Sequence, residues 1–203
     1  MISVVDYGVA NLGSMLNMLR KVGVNAERVG TPEGLATARK IVLPGIGAFD
    51  QGMAALVERG LVEILRRKVV EDGVPILGVC LGMQMLGNGS EEGQSSGLGL
   101  IDATCRRFRP PEGALLKVPH MGWNTISPRR SSPLLDGLDE PSRFYFVHSY
   151  HVVCSDPADE LAYSRYGDDF TSVVAHGNIY GLQFHPEKSH RFGMALLQNF
   201  ANL

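Results

Sequence analysis

The stretch from Val74 to Gly87 constrains this chain more than any other. It opens with a short apolar run of strand length that follows an Asp-Gly pair. Cys80 then lies between Gly78 and Gly82 in a Gly-x-Cys-x-Gly pattern, and helix-forming residues follow. This order predicts a strand, a sharp turn and a helix, with a nucleophilic side chain at the turn. Such a turn leaves no room for a Cβ atom at the flanking positions, which accounts for both glycines.

The predicted turn suits a nucleophilic cysteine. The positive end of a helix dipole favours the thiolate form of Cys80. The next backbone N–H group, that of Leu81, is placed to donate to an oxyanion. The alternative is that Cys80 is a buried core residue, because free cysteine packs as a small hydrophobic side chain.

Strands alternate with helices through the first half of the chain. Short runs rich in β-branched residues indicate strands, and the segments between them have helical periodicity. Asn11 and Asp50 are placed to cap two of these helices. Alternation of this kind implies an α/β fold with a mostly parallel central sheet, flanked by helices. The predicted strands are 2–5, 24–29, 41–43 and 74–77.

The second half of the chain has a different character. From Leu100 to Gln183, short β-like runs are separated by Pro, Gly and Asp turns. A terminal helix is predicted after Lys188, where apolar residues recur with helical spacing. There is no linker and no internal repeat, so we expect one α/β domain, residues 1–203, with a β-rich second half.

Composition argues against several classes of protein. The net charge of the 203 residues is −2, so neither nucleic acid nor an anionic membrane is an expected partner. The three cysteines, Cys80, Cys105 and Cys154, are widely spaced, which argues against a disulfide framework and for a reducing compartment. The first residues do not have the pattern of a signal peptide, and we expect a cytoplasmic protein.

A glycine loop follows the third predicted strand. Its Gly-x-Gly-x-x-Asp pattern, from Gly45 to Asp50, partly resembles a dinucleotide fingerprint, but the third glycine and the later acidic residue are missing. A tight loop that offers N–H groups to the neighbouring strand end fits the residues better. Together with Leu81, such a loop would form an oxyanion hole beside Cys80.

A catalytic thiol needs a base, and the base needs an orienting group. His185 stands out among the six histidines because it follows a predicted strand and precedes Pro-Glu. In an extended segment, residues two apart point to the same side, so Glu187 could accept from one ring nitrogen while the other faced Cys80. The alternative is a His-Pro turn with a solvated glutamate.

A metal site is another use for the histidines of this half. The candidate ligands are His148, His151, Cys154 and His185. The His-x-x-His spacing does not suit one face of a strand, and no carboxylate completes the set. We therefore expect no metal ion.

The motifs together resemble one known family. Gly78 to Gln84, with the Gln-Phe-His-Pro-Glu run that ends at Glu187, is similar to the Cys-His-Glu signature of the class I, or triad, glutamine amidotransferases. The Pro44–Gly47 loop resembles their oxyanion loop. Within that family, other stretches resemble the glutaminase subunits of imidazole glycerol phosphate synthases. These stretches are Asp6 to Gly8, Asn11-Leu12, Pro119 to Asn124, Phe146 to Tyr150 and Lys188-Ser189.

The resemblance implies a glutaminase without a cofactor. Cys80 attacks the side-chain amide of glutamine, His185 and Glu187 manage the protons, and the thioester is hydrolysed. The ammonia passes to the heterodimer partner, a cyclase (synthase) subunit with a (β/α)8-barrel fold, which makes imidazole glycerol phosphate and aminoimidazole carboxamide ribotide in histidine biosynthesis. The implied oxyanion donors are Ile46, Gly47 and Leu81; the glutamine contacts are Gln84, Glu92, Ser149 and Tyr150; the partner-facing or ammonia-route residues are Asn11, Met121, Trp123 and Lys188.

Two other hypotheses compete with a glutaminase that depends on the barrel subunit: one is another kind of enzyme and the other is not an enzyme. In one, the chain is a glutaminase for another synthase, or a cysteine hydrolase on the same fold, and forms no complex with the barrel subunit. In the other it is a non-enzymatic interaction subunit, against which the complete set of Cys80, His185 and Glu187 argues.

Overall fold

The first half of the chain forms alternating strands and helices, as predicted. The computed structural model describes residues 1–110, 115–138 and 141–203. A five-residue π-helical turn, Arg67–Glu71, extends the fourth helix. The elements are β1 Ile2–Val5, α1 Leu12–Lys21, β2 Ala26–Val29, α2 Pro32–Ala36, β3 Ile41–Gly45, α3 Phe49–Glu58, α4 Leu61–Arg66, β4 Ile76–Cys80 and α5 Leu81–Met85.

The second half is rich in strands and closes with one helix. No helix within the described ranges is long and apolar enough to cross a membrane. The elements are β5 Gly89–Ser90, β6 Ala103–Arg107, β7 His120–Thr125, β8 Ser127–Pro128, β9 Arg143–His148, β10 Tyr150–Cys154, β11 Glu160–Tyr166, β12 Asp168–His176, β13 Ile179–Leu182 and α6 His190–Asn202.

The strands form one large mixed sheet and one small sheet. The order in the large sheet is β2-β1-β3-β4-β13-β12-β10-β6-β5, with β11 beside β12 and β8 beside β11. The five strands from β2 to β13 run parallel, whereas β12, β10, β6 and β11 add antiparallel pairs. β7 and β9 form a separate antiparallel pair. The predicted α/β class, with a parallel central part and a β-rich second half, is confirmed.

Both faces of the parallel strands are buried. In β1, Val5 belongs to the core on one face and Val4 to the core on the other. Helices α3 and α4 contribute to the first core, and α1 and α6 to the second. Each large apolar side chain buried in this way stabilises the fold by roughly 1.5–3 kcal/mol. This packing fixes the carboxyl ends of β1, β3, β4 and β13 at one edge, where α/β proteins bind ligands.

The prediction that Asp50 caps α3 is wrong. The helix begins at Phe49, after Ala48, so Asp50 lies inside its first turn. The Asp50 carboxylate instead accepts hydrogen bonds from the backbone N–H groups of Gln94 and Ser95. The carboxylate that the sequence predicts as a helix cap therefore binds a loop about 44 residues further along the chain.

Neither β7 nor β10 is predicted from the sequence. Histidine, glycine and asparagine interrupt the apolar alternation of β7, and β10 mixes tyrosine and histidine with valine. Their partners, β9 and β6, are distant in the sequence. Tertiary pairing rather than local pattern therefore stabilises these strands.

Candidate active site

Cys80 lies at a strained turn between β4 and α5. Its φ of 55° and ψ of −111° are unusual for a residue with a side chain, and such strain costs about 1–3 kcal/mol. Both flanking glycines are sterically required. A Cβ on Gly82 would overlap the carbonyl oxygen of Leu43, and one on Gly78 would lie 2.7 Å from the carbonyl oxygen of Gly82. The predicted geometry of the turn is confirmed.

The last strand brings His185 to the same edge of the sheet. β13 pairs in parallel with β4, with Leu182 opposite Val79, so both chains leave the sheet in the same direction. The backbone N–H of His185 then donates to the carbonyl of Tyr145 at 2.9 Å. This bond anchors His185 against β9. The local sequence does not predict the contact, because the two residues are far apart in the chain.

Glu187 orients the imidazole of His185. The Nδ1 atom of His185 lies 2.7 Å from Oε1 of Glu187, and both side chains are buried. The predicted pairing is present, but the extended path between the two residues is wrong. Pro186–Lys188 forms a 3-10 turn that returns the carboxylate to the ring. Since a carboxylate only accepts, Nδ1 carries a proton, and Nε2 is the nitrogen that Glu187 leaves available to other partners.

The surroundings of His185 favour its charged form. Burial is the largest single effect and lowers its pKa, but hydrogen bonding with Cys80 and Glu187 and their negative charge outweigh burial and raise the pKa to about 9. No group among the described residues satisfies Nε2 with full hydrogen-bond geometry. The Cys80 thiol is nevertheless close enough to act on this pKa. A protonated His185 beside this sulfur atom is placed to donate a proton.

A cavity of about 330 Å³ lies beside Cys80 and His185. Its volume suits a small molecule rather than a polymer. Every residue predicted as an oxyanion donor or substrate contact lines this cavity, although these residues come from four separate parts of the chain. They are Ile46, Gly47, Leu81, Gln84, Glu92, Ser149 and Tyr150.

The segment after β1 holds the Pro44–Gly47 loop. The Tyr7 hydroxyl donates to the carbonyl of Pro44 at 2.8 Å, and the N–H of Ile46 donates to the carbonyl of Val9 at 3.3 Å. In this conformation the N–H of Ile46 is occupied. Leu81 is the first residue of α5, so its N–H has no carbonyl partner within that helix.

Gln84 and Glu92 are fixed by hydrogen bonds at the cavity. Nε2 of Gln84 donates to the carbonyl of Tyr150 at 3.1 Å and to Oε1 of Gln183 at 3.2 Å. Oε2 of Glu92 accepts from the N–H of Phe49 at 2.9 Å and so satisfies a backbone donor in the first turn of α3. The Glu92 carboxylate is thereby held at the cavity wall.

Several residues without a predicted catalytic or substrate-binding role contribute to the site. Pro119, Val147 and His148 line the cavity, and three further residues support its walls. Tyr7 and Val9 follow β1, and the carboxyl ends of β1 and β4 lie at the same edge of the sheet. Because ligands bind at this edge, the position of Tyr7 and Val9 just after a strand could have identified them as site residues. Burial and then the neighbouring Cys80 raise the pKa of Tyr7 well above its usual range, so its hydroxyl remains a donor. Gln183 is fully buried, and no sequence signal predicts its bond to Gln84.

The residues predicted to face a partner lie on β7, at the start of α1 and in the 3-10 turn after His185. Met121 and Trp123 share the outer face of β7 and are 62% and 41% exposed. Nζ of Lys188 lies 5.6 Å from the ring centre of Tyr145, which is 6.1 Å from that of Trp123. Asn11 caps α1 by accepting a backbone hydrogen bond at 3.5 Å.

The candidate metal ligands have other contacts. Nε2 of His148 lies 2.9 Å from Nδ1 of His120, and its Nδ1 lies 2.9 Å from the carbonyl oxygen of Tyr150. Within residues 1–110, 115–138 and 141–203, no group of three or more His, Cys, Asp or Glu side chains is placed to hold a metal ion.

Close relatives of the chain share one name. It is 52% identical over 203 residues to the imidazole glycerol phosphate synthase subunit HisH 2 of Pseudomonas aeruginosa, with all of both chains covered. It is 50% identical over 200 residues to the protein of the same name in Methanococcus maripaludis, with 98% of each chain covered.

Solved structures and a family model agree with this similarity. PurLQS from Thermotoga maritima superposes with a TM-score of 0.75 at 21% identity, covering 99% of this chain and 97% of that one. A glutamine amidotransferase from the same organism gives 0.66 at 19% identity, covering 99% and 82%. At these identities the likeness shows the fold alone. The model of the class I glutamine amidotransferases matches residues 3–203. The chain therefore belongs to the class I glutamine amidotransferase family and, within it, to the HisH subunits of imidazole glycerol phosphate synthase.

Proposed function

We propose that this chain hydrolyses glutamine to glutamate and ammonia, and passes the ammonia to the cyclase subunit of an imidazole glycerol phosphate synthase. The observation that carries the proposal is the meeting of the strained Cys80 with the buried His185–Glu187 pair beside one small cavity. A nucleophile, a base and an orienting group in this order suit acyl transfer through a covalent intermediate.

The Cys80 thiolate attacks the side-chain amide carbon of glutamine, and the electron pair of the C=O bond moves to oxygen. As the tetrahedral intermediate collapses, the C–N bond breaks and Nε2–H of His185 protonates the leaving nitrogen, so ammonia departs and a thioester remains. Water then adds to the thioester while His185 accepts its proton. The C–S bond breaks, glutamate leaves and the thiolate returns. Glu187 keeps the imidazole in one orientation throughout.

Backbone N–H groups stabilise the oxyanion of each tetrahedral intermediate in this proposal. We assign Leu81 and Gly47 as donors, with Ile46 as a third. The N–H of Ile46 must first leave the carbonyl of Val9, because one N–H cannot donate fully to both. A single oxyanion donor is worth about 10²–10³ in rate, so this bond has a direct bearing on turnover.

Glutamine is bound by its charged and amide ends. We assign the Glu92 carboxylate to the α-amino group, since a carboxylate forms strong charge-assisted hydrogen bonds with an ammonium. Gln84 and the backbone of Ser149 and Tyr150 provide the neighbouring polar contacts. All four line the cavity, which supports these roles.

The partner surface lies at the exposed apolar residues near the site. Ile46 lines the cavity, Met121 and Trp123 share the outer face of β7, and the three are 43%, 62% and 41% exposed. We assign them to one surface, because an exposed apolar patch is typical of an interaction site. We place the (β/α)8 barrel of the cyclase subunit on this surface, with Asn11 and Lys188 at its border. A Met-Trp cluster would shield ammonia from water. The three free cysteines are consistent with our placement of the complex in the cytoplasm.

The test measures ammonia release from glutamine by the purified chain, first without a partner and then with the cyclase subunit plus its nucleotide substrate. We expect release that rises when both are added, and none in Cys80→Ala. Cys154→Ala, which removes a cysteine that does not line the cavity, is the matched control and retains activity. Release that persists in Cys80→Ala would sink the mechanism. A complex that does not form would instead favour a glutaminase for another synthase.

A further inference from the structure

A line of hydrogen-bonded polar groups, two of them buried histidines, runs along the small β7–β9 sheet to the cavity. His120 and His148 face each other in the register of that sheet and are only 3% and 6% exposed. Nδ1 of His120 lies 2.9 Å from Nε2 of His148, and Nδ1 of His148 lies 2.9 Å from the carbonyl oxygen of Tyr150. At the other end, Nδ2 of Asn124 lies 3.4 Å from Nε2 of His120 and donates to the carbonyl of Arg165 at 2.9 Å.

Each hydrogen bond in this line has one direction. The carbonyl of Tyr150 only accepts, so Nδ1 of His148 carries the proton. Burial lowers the pKa of His148 to about 3 and that of His120 to about 4, so both rings are neutral near pH 7. Nε2 of His148 therefore accepts from Nδ1 of His120, and Nε2 of His120 accepts from Asn124. The four groups form one directed chain, here called the histidine relay.

Packing alone does not account for two histidines at these positions. Their rings pack in an aromatic cluster, with ring centres 5.1 Å (His148) and 6.3 Å (His120) from that of Phe108. A polar ring buried among aromatic rings costs free energy unless its hydrogen bonds are formed. His151 packs on Phe108 at 4.7 Å but has no place in the relay. Phenyl rings at positions 120 and 148 would keep the packing but could not form the hydrogen bonds of the relay.

The relay spans the distance between the partner surface and the cavity. Residues alternate along β7, so His120 and Asn124 face inward while Met121 and Trp123 face outward on the same strand. A displacement of the outer face therefore moves both inward groups. At the other end of the relay, both His148 and Tyr150 line the cavity.

We propose that His120 and His148 are positioning residues, which couple docking of a partner protein on the outer face of β7 to the backbone at Tyr150 that binds glutamine. The inference rests on the proposed function, because it needs both the docked cyclase subunit and glutamine. Movement of β7 is transmitted through the directed hydrogen bonds to the carbonyl of Tyr150, and neither histidine takes part in the chemistry.

The test measures partner stimulation, the ratio of glutamine hydrolysis with the cyclase subunit plus its nucleotide substrate to hydrolysis by the isolated chain. His120→Phe keeps a ring and removes the donor to His148. We expect the ratio to fall by about tenfold or more, within the range of known coupling between sites, while the rate of the isolated chain is unchanged. His120→Asn restores most of the ratio, because its amide nitrogen can replace Nδ1. His151→Phe, the matched control, keeps the wild-type ratio.

Full stimulation in a folded His120→Phe variant overturns the proposal, as does a failure of His120→Asn to restore the ratio. A wild-type complex that releases no ammonia overturns the proposed function instead, so the two failures are distinguishable. If His120→Phe does not fold, ¹⁵N spectra of wild-type histidines decide. We expect both rings as Nδ1–H tautomers, with a scalar coupling between the two imidazoles that changes when the cyclase subunit docks. An unchanged coupling also overturns the proposal.

Discussion

The imidazole of His185 and the carboxylate of Glu187 form a buried pair with 2.7 Å between Nδ1 and Oε1. The pKa of His185 rises in the folded chain from 6.5 to about 9. A histidine with a raised folded pKa stabilises the fold fully below its unfolded pKa, and this contribution is lost as pH rises through the folded value. Stability is therefore linked to the charge of His185, the residue that we propose as the catalytic base.

The free energy of unfolding is expected to fall between about pH 6.5 and pH 9. The loss is on the order of 3 kcal/mol for a shift of this size, before the coupling with Cys80 reduces it. Urea unfolding at a series of pH values measures it. His185→Asn is the control, and its curve should be flatter over this window. If the free energy of unfolding changed equally with pH in the two proteins, the His185–Glu187 pair would not be the cause of the pH dependence.

Glu187→Gln is expected to lower kcat for glutamine hydrolysis in the complex by about 10²–10⁴-fold, because an amide neither stabilises the imidazolium nor fixes its tautomer as a carboxylate does. Steady-state ammonia release measures the change. Glu63→Gln, at an exposed helix position, provides the matched control. Wild-type kcat in Glu187→Gln would remove Glu187 from the mechanism.

Gly82→Ala is expected to destabilise the fold by about 3 kcal/mol or more, because the new Cβ would overlap the backbone carbonyl of Leu43. Gly13→Ala is the matched control. Gly13 lies in α1, and a Cβ at this position meets nothing within 4 Å. That variant should be unchanged or more stable by up to about 1 kcal/mol. Thermal unfolding distinguishes the two, and equal effects would contradict the steric account.

Glu92→Gln is expected to raise KM for glutamine by about 10–100-fold, the range for loss of a charge-assisted hydrogen bond. The amide oxygen of this variant can still accept from the N–H of Phe49, so the start of α3 is preserved. Glu91→Gln changes the neighbouring carboxylate, which pairs with Arg109 on the surface, and should leave KM unchanged. A kinetic titration with glutamine measures both variants, and equal KM values would exclude Glu92 from binding.

Local pattern alone predicts the elements with strong signals. The alternating strands and helices before Gly87 and the cysteine turn itself follow from short-range rules, because apolar periodicity and glycine sterics act over a few residues. The same rules misplace the cap of α3 and do not detect β7 or β10. In those cases a distant loop or strand supplies the hydrogen bonds, so tertiary contacts outweigh local preference.

The sequence by itself determined the sharp turn at Cys80 and the fold class, and its motifs predicted Cys80, His185 and Glu187 as a triad. Each of these depends on local residue order. Only the tertiary structure decided how the three residues meet. The parallel pairing of β13 with β4 brings His185 to the edge that carries Cys80, and a 3-10 turn returns Glu187 to the ring. The bond from Ile46 to Val9 and the histidine relay likewise join segments far apart in the chain, where no local rule acts.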